Sequence, residues 1–228
     1  MGTLIKILVI NGNTKSGGFI NGALLVISSY LKTQGIEVKN IRLHDADIKD
    51  CIGCFNCLKT GKCILKDDME NIIETMTESD GFVIGSPVRN GLVTACYKRF
   101  LERITYILGF PLLLDDKYTL AISSVGYFGG AAVNKKLLGL QSVFQTKLSD
   151  FLFFKVGVPT KIKPDDVRPR LEKGAKKLIS DIDIHAQRSF LNKILFAVDR
   201  MILRKAVFKK NPEQYANVIK WWQKKGYM

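Results

Sequence analysis

Histidine is scarce in this chain. Only His44 and His185 are present, each far from any evident nucleophile or acid pair, so no hydrolase constellation is indicated. Long apolar runs are missing too, and none approaches the roughly 20 residues that a membrane-spanning helix needs. Residues 1 to 10 hold one lysine, a short apolar run and no small-residue cleavage site, which reads as a first strand and not an export signal, so a cytoplasmic location is expected. Internal repeats and low-complexity tracts are absent, and 46% hydrophobic with 25% charged residues excludes a disordered or fibrous class. Acidic residues are in deficit, 21 against 35 basic ones, for a net charge of +14. Residues 188 to 228 carry ten Lys or Arg against Asp199 and Glu213, so more than half of that excess sits in the tail. Such a chain can meet nucleic acid, an anionic membrane or an acidic partner, and charge alone does not choose.

What is present is a β-α-β rhythm. Residues 4 to 10 are β-rich and almost continuously apolar, as in a strand covered on both faces, and residues 19 to 33 repeat their apolar positions at helical spacing up to Gly35. Strands are expected over 37–43, 81–85, 118–123 and 151–156, and helices over 67–79, 91–108 and 131–148. Alternating strands and helices imply a parallel sheet with its ligand beyond the strands' carboxyl ends, where strand order reverses. After Pro159 prolines and charges multiply and the pattern turns helical near 168–185, 190–208 and around Trp221-Trp222. Residues 1 to 160 are therefore expected as the α/β domain and 161 to 228 as a basic helical extension.

The loops after strands one, three and four are the informative ones. In Gly12-Asn13-Thr14-Lys15-Ser16-Gly17-Gly18, glycines permit close backbone approach, the following helix start offers free N–H groups, and Lys15 and Ser16 add a charge and a hydroxyl. This is an anion cradle. It is neither a Walker loop nor a Gly-x-Gly-x-x-Gly fingerprint. Gly85-Ser86-Pro87-Val88-Arg89-Asn90-Gly91 can present backbone groups along the edge of a planar ring, and residues 123 to 130 can close over a flat cofactor.

Four of the five cysteines, Cys51, Cys54, Cys57 and Cys63, fall within thirteen residues as C-x2-C-x2-C-x5-C. That spacing is close to ferredoxin-type cluster loops and unlike zinc sites, whose cysteine pairs stand further apart. Four thiolates suit a [4Fe-4S] cluster, and a reduced, cluster-free thiol loop is the alternative. Cys96 reads as a small buried residue.

Taken together with Lys66-Asp67-Asp68-Met69 and Lys98-Arg99-Phe100-Leu101-Glu102-Arg103, these motifs resemble the NADPH-dependent FMN reductase family over residues 1 to about 160, and the cysteines look like those of iron-sulfur flavoproteins. The resemblance implies a flavodoxin-like, doubly wound, five-stranded parallel sheet in the order 2-1-3-4-5. It also implies FMN as cofactor, NAD(P)H or a ferredoxin-like protein as electron donor, a homodimer or homotetramer, and no nucleic-acid partner. By position, the FMN phosphate would meet Asn13, Lys15 and Ser16 with the backbone at Phe19 and Ile20. The ring would lie against Pro87, Val88, Arg89, Asn90 and Gly91, with Ser124 and Gly126 opposite. Two departures stand out: Phe19-Ile20 replaces the family's Asn-Thr, leaving only backbone donors, and Arg89 replaces a tyrosine. No catalytic acid or base is expected, since the flavin does the chemistry.

In the tail, Phe190, Leu191, Ile194, Leu195, Val198, Met201 and Ile202 form one helical stripe, with Lys193, Arg200 and Arg204 toward the other side. The stripe is expected to pack on the parent domain or a neighbouring subunit; docking on anionic lipid or an acidic redox partner is the alternative.

Overall fold

A computed structural model describes residues 4 to 127, 131, 138–139, 143 to 188 and 190 to 228. Its centre is a five-stranded parallel sheet in the order β2-β1-β3-β4-β5. The strands are β1 (Lys6–Asn11), β2 (Glu37–Arg42), β3 (Gly81–Pro87), β4 (Tyr118–Val125) and β5 (Lys147–Lys155). Among the described residues, seven α-helices accompany them: α1 (Phe19–Thr33), α2 (Asn56–Thr60), α3 (Met69–Glu78), α4 (Ala95–Ile104), α5 (Arg168–Asp183), α6 (Phe190–Leu203) and α7 (Ala216–Lys224). The flavodoxin-like doubly wound order expected above is the one found.

The apolar run of β1 serves two cores, because successive side chains of a strand point to opposite faces. Ile7 and Val9 face α1, meeting Ala23, Leu24, Ile27 and Leu31. Leu8 and Ile10 face the other way, with Ile72 and Met76 of α3 and Phe100 and Ile104 of α4. β3 and β4 are buried along their whole length, as internal strands of a sheet covered on both faces must be.

Three stretches differ from the sequence reading. The helix expected from residue 91 begins at Ala95, because Arg89 and Leu92 pair through two backbone hydrogen bonds, 2.7 and 2.9 Å, around Asn90 and Gly91. Both central residues have positive φ, the type I′ hairpin requirement that Asn-Gly satisfies most readily. Thr94 then caps α4 by accepting from the Tyr97 N–H. Half of the residues of the helix expected over 131–148 lie outside the described residues, and its end, Lys147-Leu148, belongs to β5. Third, α5 lies within the stretch expected as an extension, yet its Leu171, Ala175, Leu178 and Ile182 pack on the sheet in the α1 core. The added Cβ of an alanine at Gly174 would sit 3.1 Å from Leu120 and Leu152, so a helix residue without a side chain lets α5 lie close on the sheet.

The last two helices build a third cluster of Leu58, Leu112, Phe208, Val218 and Trp222. Trp222 is fully buried and donates its Nε1–H to the Phe110 carbonyl at 2.8 Å. α6 enters this cluster through Phe196 and Leu203, not through the expected stripe. Ile194, Leu195, Val198, Met201 and Ile202 are exposed, so the stripe does not pack on its own domain; the side chains of Phe190 and Leu191 lie outside the described residues.

Candidate functional site

A cavity of about 240 Å³ opens beyond the carboxyl ends of β1, β3, β4 and β5, at the point where strand order reverses. Of the twelve residues expected at a ligand, it brings together Asn13, Lys15, Phe19, Ile20, Pro87, Val88, Arg89, Ser124 and Gly126. Ser16 is exposed outside its lining, and Asn90 and Gly91 sit at the tip of the hairpin turn, outside it as well. The sequence reading missed Val156, Gly157, Val158, Pro159 and Thr160, which complete the wall after β5. Nothing in their chemistry singles them out. The available signal is positional: the chain leaves a central-sheet strand on the same side as the other three loops.

The first loop is organised by its asparagines. Asn11 Oδ1 accepts the Asn13 N–H at 2.9 Å, and Asn13 Nδ2 donates to the Gly17 carbonyl at 2.9 Å, folding the loop back on itself. Gly12 allows the loop to leave β1 tightly: its N–H donates to the Gly85 carbonyl at 2.7 Å, and a Cβ there would come within 2.8 Å of the Tyr97 ring. At Gly18 (φ 95) α1 starts with no side-chain cap and no acidic residue in its first turn. The helix therefore turns uncompensated N–H groups and the positive end of its dipole toward the cavity. Phe19 and Ile20 put their side chains into the core, Phe19 against Phe154 at 4.9 Å, and leave their backbone at the cavity wall. Lys15 and Arg89 are the charged lining residues, both cationic and without an ion pair among the described residues. Val88 donates its N–H to the Ser124 carbonyl at 2.8 Å, locking the second and third loops together. A phosphorylated, flat, partly apolar ligand such as FMN fits this wall: anion-binding groups at one end, backbone and apolar surface at the other.

The cysteines form a second site on the α3–α4 side. Cys51, Cys54, Cys57 and Cys63 line one small recess of about 20 Å³ with Tyr106 and Arg103, and all are free thiols. Gly53, Phe55 and Gly61 have positive φ, which lets the loop wrap. Among the described residues, no three His, Cys, Asp or Glu side chains are gathered closely enough to hold a metal ion. Four soft thiols are the right donor set for an iron-sulfur cluster, but the recess must widen to admit one. Burial, then the neighbouring Cys63, pushes the Cys57 thiol up to about 11.

Behind the recess, two motifs quoted separately from the sequence meet. Arg103 and Asp67 form an ion pair with side chains 1% and 0% exposed. The guanidinium also donates to the Lys49 carbonyl at 2.8 Å and to Cys63 Sγ at 3.4 Å, while Asp67 accepts from the N–H groups of Lys49 and Met69. Burial raises the Asp67 carboxyl, but the Arg103 hydrogen bond and these amides outweigh it and hold it below the ordinary value. Lys98 pairs with Glu102 at 2.8 Å. The tail supports the same loop: Gln214 Nε2 donates to the Phe55 carbonyl at 3.1 Å, and Asn217 lies against Gly61.

Comparison with known proteins agrees with this geometry. The chain is 29% identical over 232 residues to an iron-sulfur flavoprotein of Clostridioides difficile (strain 630), covering 96% of this chain and 98% of that one. It is 42% identical over 101 residues to an iron-sulfur flavoprotein of Archaeoglobus fulgidus, 43% of this chain and 48% of that protein, so the match spans about half the archaeal relative. In three dimensions it superposes on a flavone reductase with a TM-score of 0.62 at 18% identity, covering 81% of this chain and 66% of that one, which is a likeness of fold. Residues 5–147 match the description NADPH-dependent FMN reductase, well over half of the chain, and with the switch-point cavity in place the chain belongs to that family of FMN-dependent flavoprotein oxidoreductases.

Proposed function

We propose that FMN binds in the switch-point cavity and that the protein passes electrons from NAD(P)H, or from a ferredoxin-like donor, through that flavin to an acceptor. One observation carries the reading: the uncapped start of α1 and the unpaired Lys15 converge on a cavity whose charged lining is wholly cationic. The residues bind and orient. Lys15 and the α1 amides neutralise the phosphate, and Arg89 at the ring end favours a reduced, anionic flavin. The proposal extends to a [4Fe-4S] cluster on Cys51, Cys54, Cys57 and Cys63, which would supply one-electron transfer. Exposed Leu92, Tyr127 and Val158 near the cavity support a homodimer or homotetramer that covers its mouth.

Anaerobic mixing of purified protein with NADPH or NADH tests the reductase: rapid bleaching of flavin absorbance is expected, and an inert flavin would instead make the chain a carrier. Binding is tested separately. Lys15→Ala should weaken FMN retention about tenfold, as expected for losing a charge-assisted contact to phosphate, whereas Ser16→Ala should leave it unchanged; equal retention in both variants would remove Lys15 from the site.

A further inference from the structure

α6 is apolar on two opposite sides. Phe196 and Leu203 face the Trp222 cluster, and Ile194, Leu195, Val198, Met201 and Ile202 face away from it, each between 41% and 53% exposed. At 100° per residue these five span an arc of about 120° centred near Val198, the width of a stripe that normally buries itself. Beside it lies an open pocket of about 400 Å³ whose lining includes Arg200, Arg204, Lys205, Lys209 and Tyr227 and no carboxylate. Arg200 lies over the rings of Phe196 and Tyr227, at 4.9 and 4.1 Å, and its buried Nε has no hydrogen-bond partner. None of the four cations has an ion pair among the described residues.

We propose that this face of α6 docks on an anionic lipid surface, the stripe entering the acyl boundary and the basic pocket receiving lipid phosphates. Charge selects this occupant. A second copy of the chain paired antiparallel about a two-fold axis would set the Arg204-Lys205 flank against itself, which like-charge repulsion opposes. The stripe is a convex row of aliphatic side chains with cations along one edge, the pattern of a helix that lies in the headgroup boundary with its apolar face in the acyl layer. Among the described residues no helix is long and apolar enough to cross a membrane, so the contact is peripheral.

Co-sedimentation of the full-length chain with vesicles tests this, using equimolar phosphatidylcholine and phosphatidylglycerol against phosphatidylcholine alone. The bound fraction should be at least about tenfold higher on the anionic vesicles and should collapse in 1 M salt, where the Debye length is about 3 Å. Val198→Asp and the pair Arg204→Glu with Lys205→Glu should each remove binding, with tryptophan emission unchanged as the folding control. Should Val198→Asp disturb that emission, Leu195→Ser supplies a milder break in the stripe. Absence of binding to anionic vesicles overturns the proposal. So does binding that survives both stripe variants, which would be charge adsorption alone, or a light-scattering mass that falls in Val198→Asp, which would assign the stripe to a second copy.

Discussion

Asp67 and Arg103 are sealed from water together, so neither can lose the other cheaply. Removing one partner of a buried pair typically costs about 3–5 kcal/mol, because the remaining charge stays buried. Asp67→Asn is expected to lower stability by that amount, measured as the urea midpoint. The same pair sets an acid limit. Its folded carboxyl lies below the unfolded value of about 3.9, so its stabilisation is complete above that pH and disappears as pH falls through the depressed folded value. Stability of the natural chain should therefore decline below about pH 4, and decline less steeply in Asp67→Asn; parallel curves would show that the pair does not titrate with unfolding. The sequence announced both residues but not their contact, since Asp67 and Arg103 stand 36 positions apart and only the packing of α4 beside the cysteine loop joins them. The cavity was easier to read. Asn13, Lys15 and Pro87 stand at the carboxyl ends of strands recognisable by their apolar runs, whereas Ser16 is legible as a hydroxyl near a helix start but not as one turned to solvent.

Elements with uniform patterns were read closely. The helix expected over 19–33 is α1, because its apolar spacing and the following glycine agree. α4 starts later than its apolar spacing predicts because Asn90-Gly91 obeys turn chemistry before helix propensity can act, and β5 starts earlier than predicted because a strand with one partly exposed face lacks a continuous apolar run. Strand ends matter most where they aim loops. At the end of β1, Gly12 touches the Gly85 carbonyl and the Tyr97 ring, and its own carbonyl accepts the Thr94 hydroxyl that caps α4. Gly12→Ala should force β1 and α4 apart, lowering stability by about 1–3 kcal/mol, the usual range for overpacking. Thermal unfolding measures this, and an unchanged midpoint would mean that the Tyr97 ring yields without cost.

At the scale of the whole molecule, the sheet and its two covers were legible because βαβ alternation has few solutions. The placement of the tail was not. Which side of α6 packs depends on Phe196 and Leu203 meeting Trp222, a partner 19 to 26 residues later in the chain, and a periodicity argument ranks the larger stripe first. The chain's two tryptophans, Trp221 and Trp222, are adjacent in α7, and α7 rests on α2 of the cysteine loop. Indole fluorescence thus originates at one spot, while far-ultraviolet circular dichroism is dominated by the sheet and its helices. Denaturant titrations followed by the two signals are expected to separate if the tail opens before the sandwich, with the emission shift at lower urea, and to coincide if the molecule unfolds as one unit. Every tryptophan-based assay of this protein, including thermal scans, therefore reads its signal beside the cysteine loop, and it reports on the flavin cavity through cooperative unfolding or through energy transfer to a bound flavin.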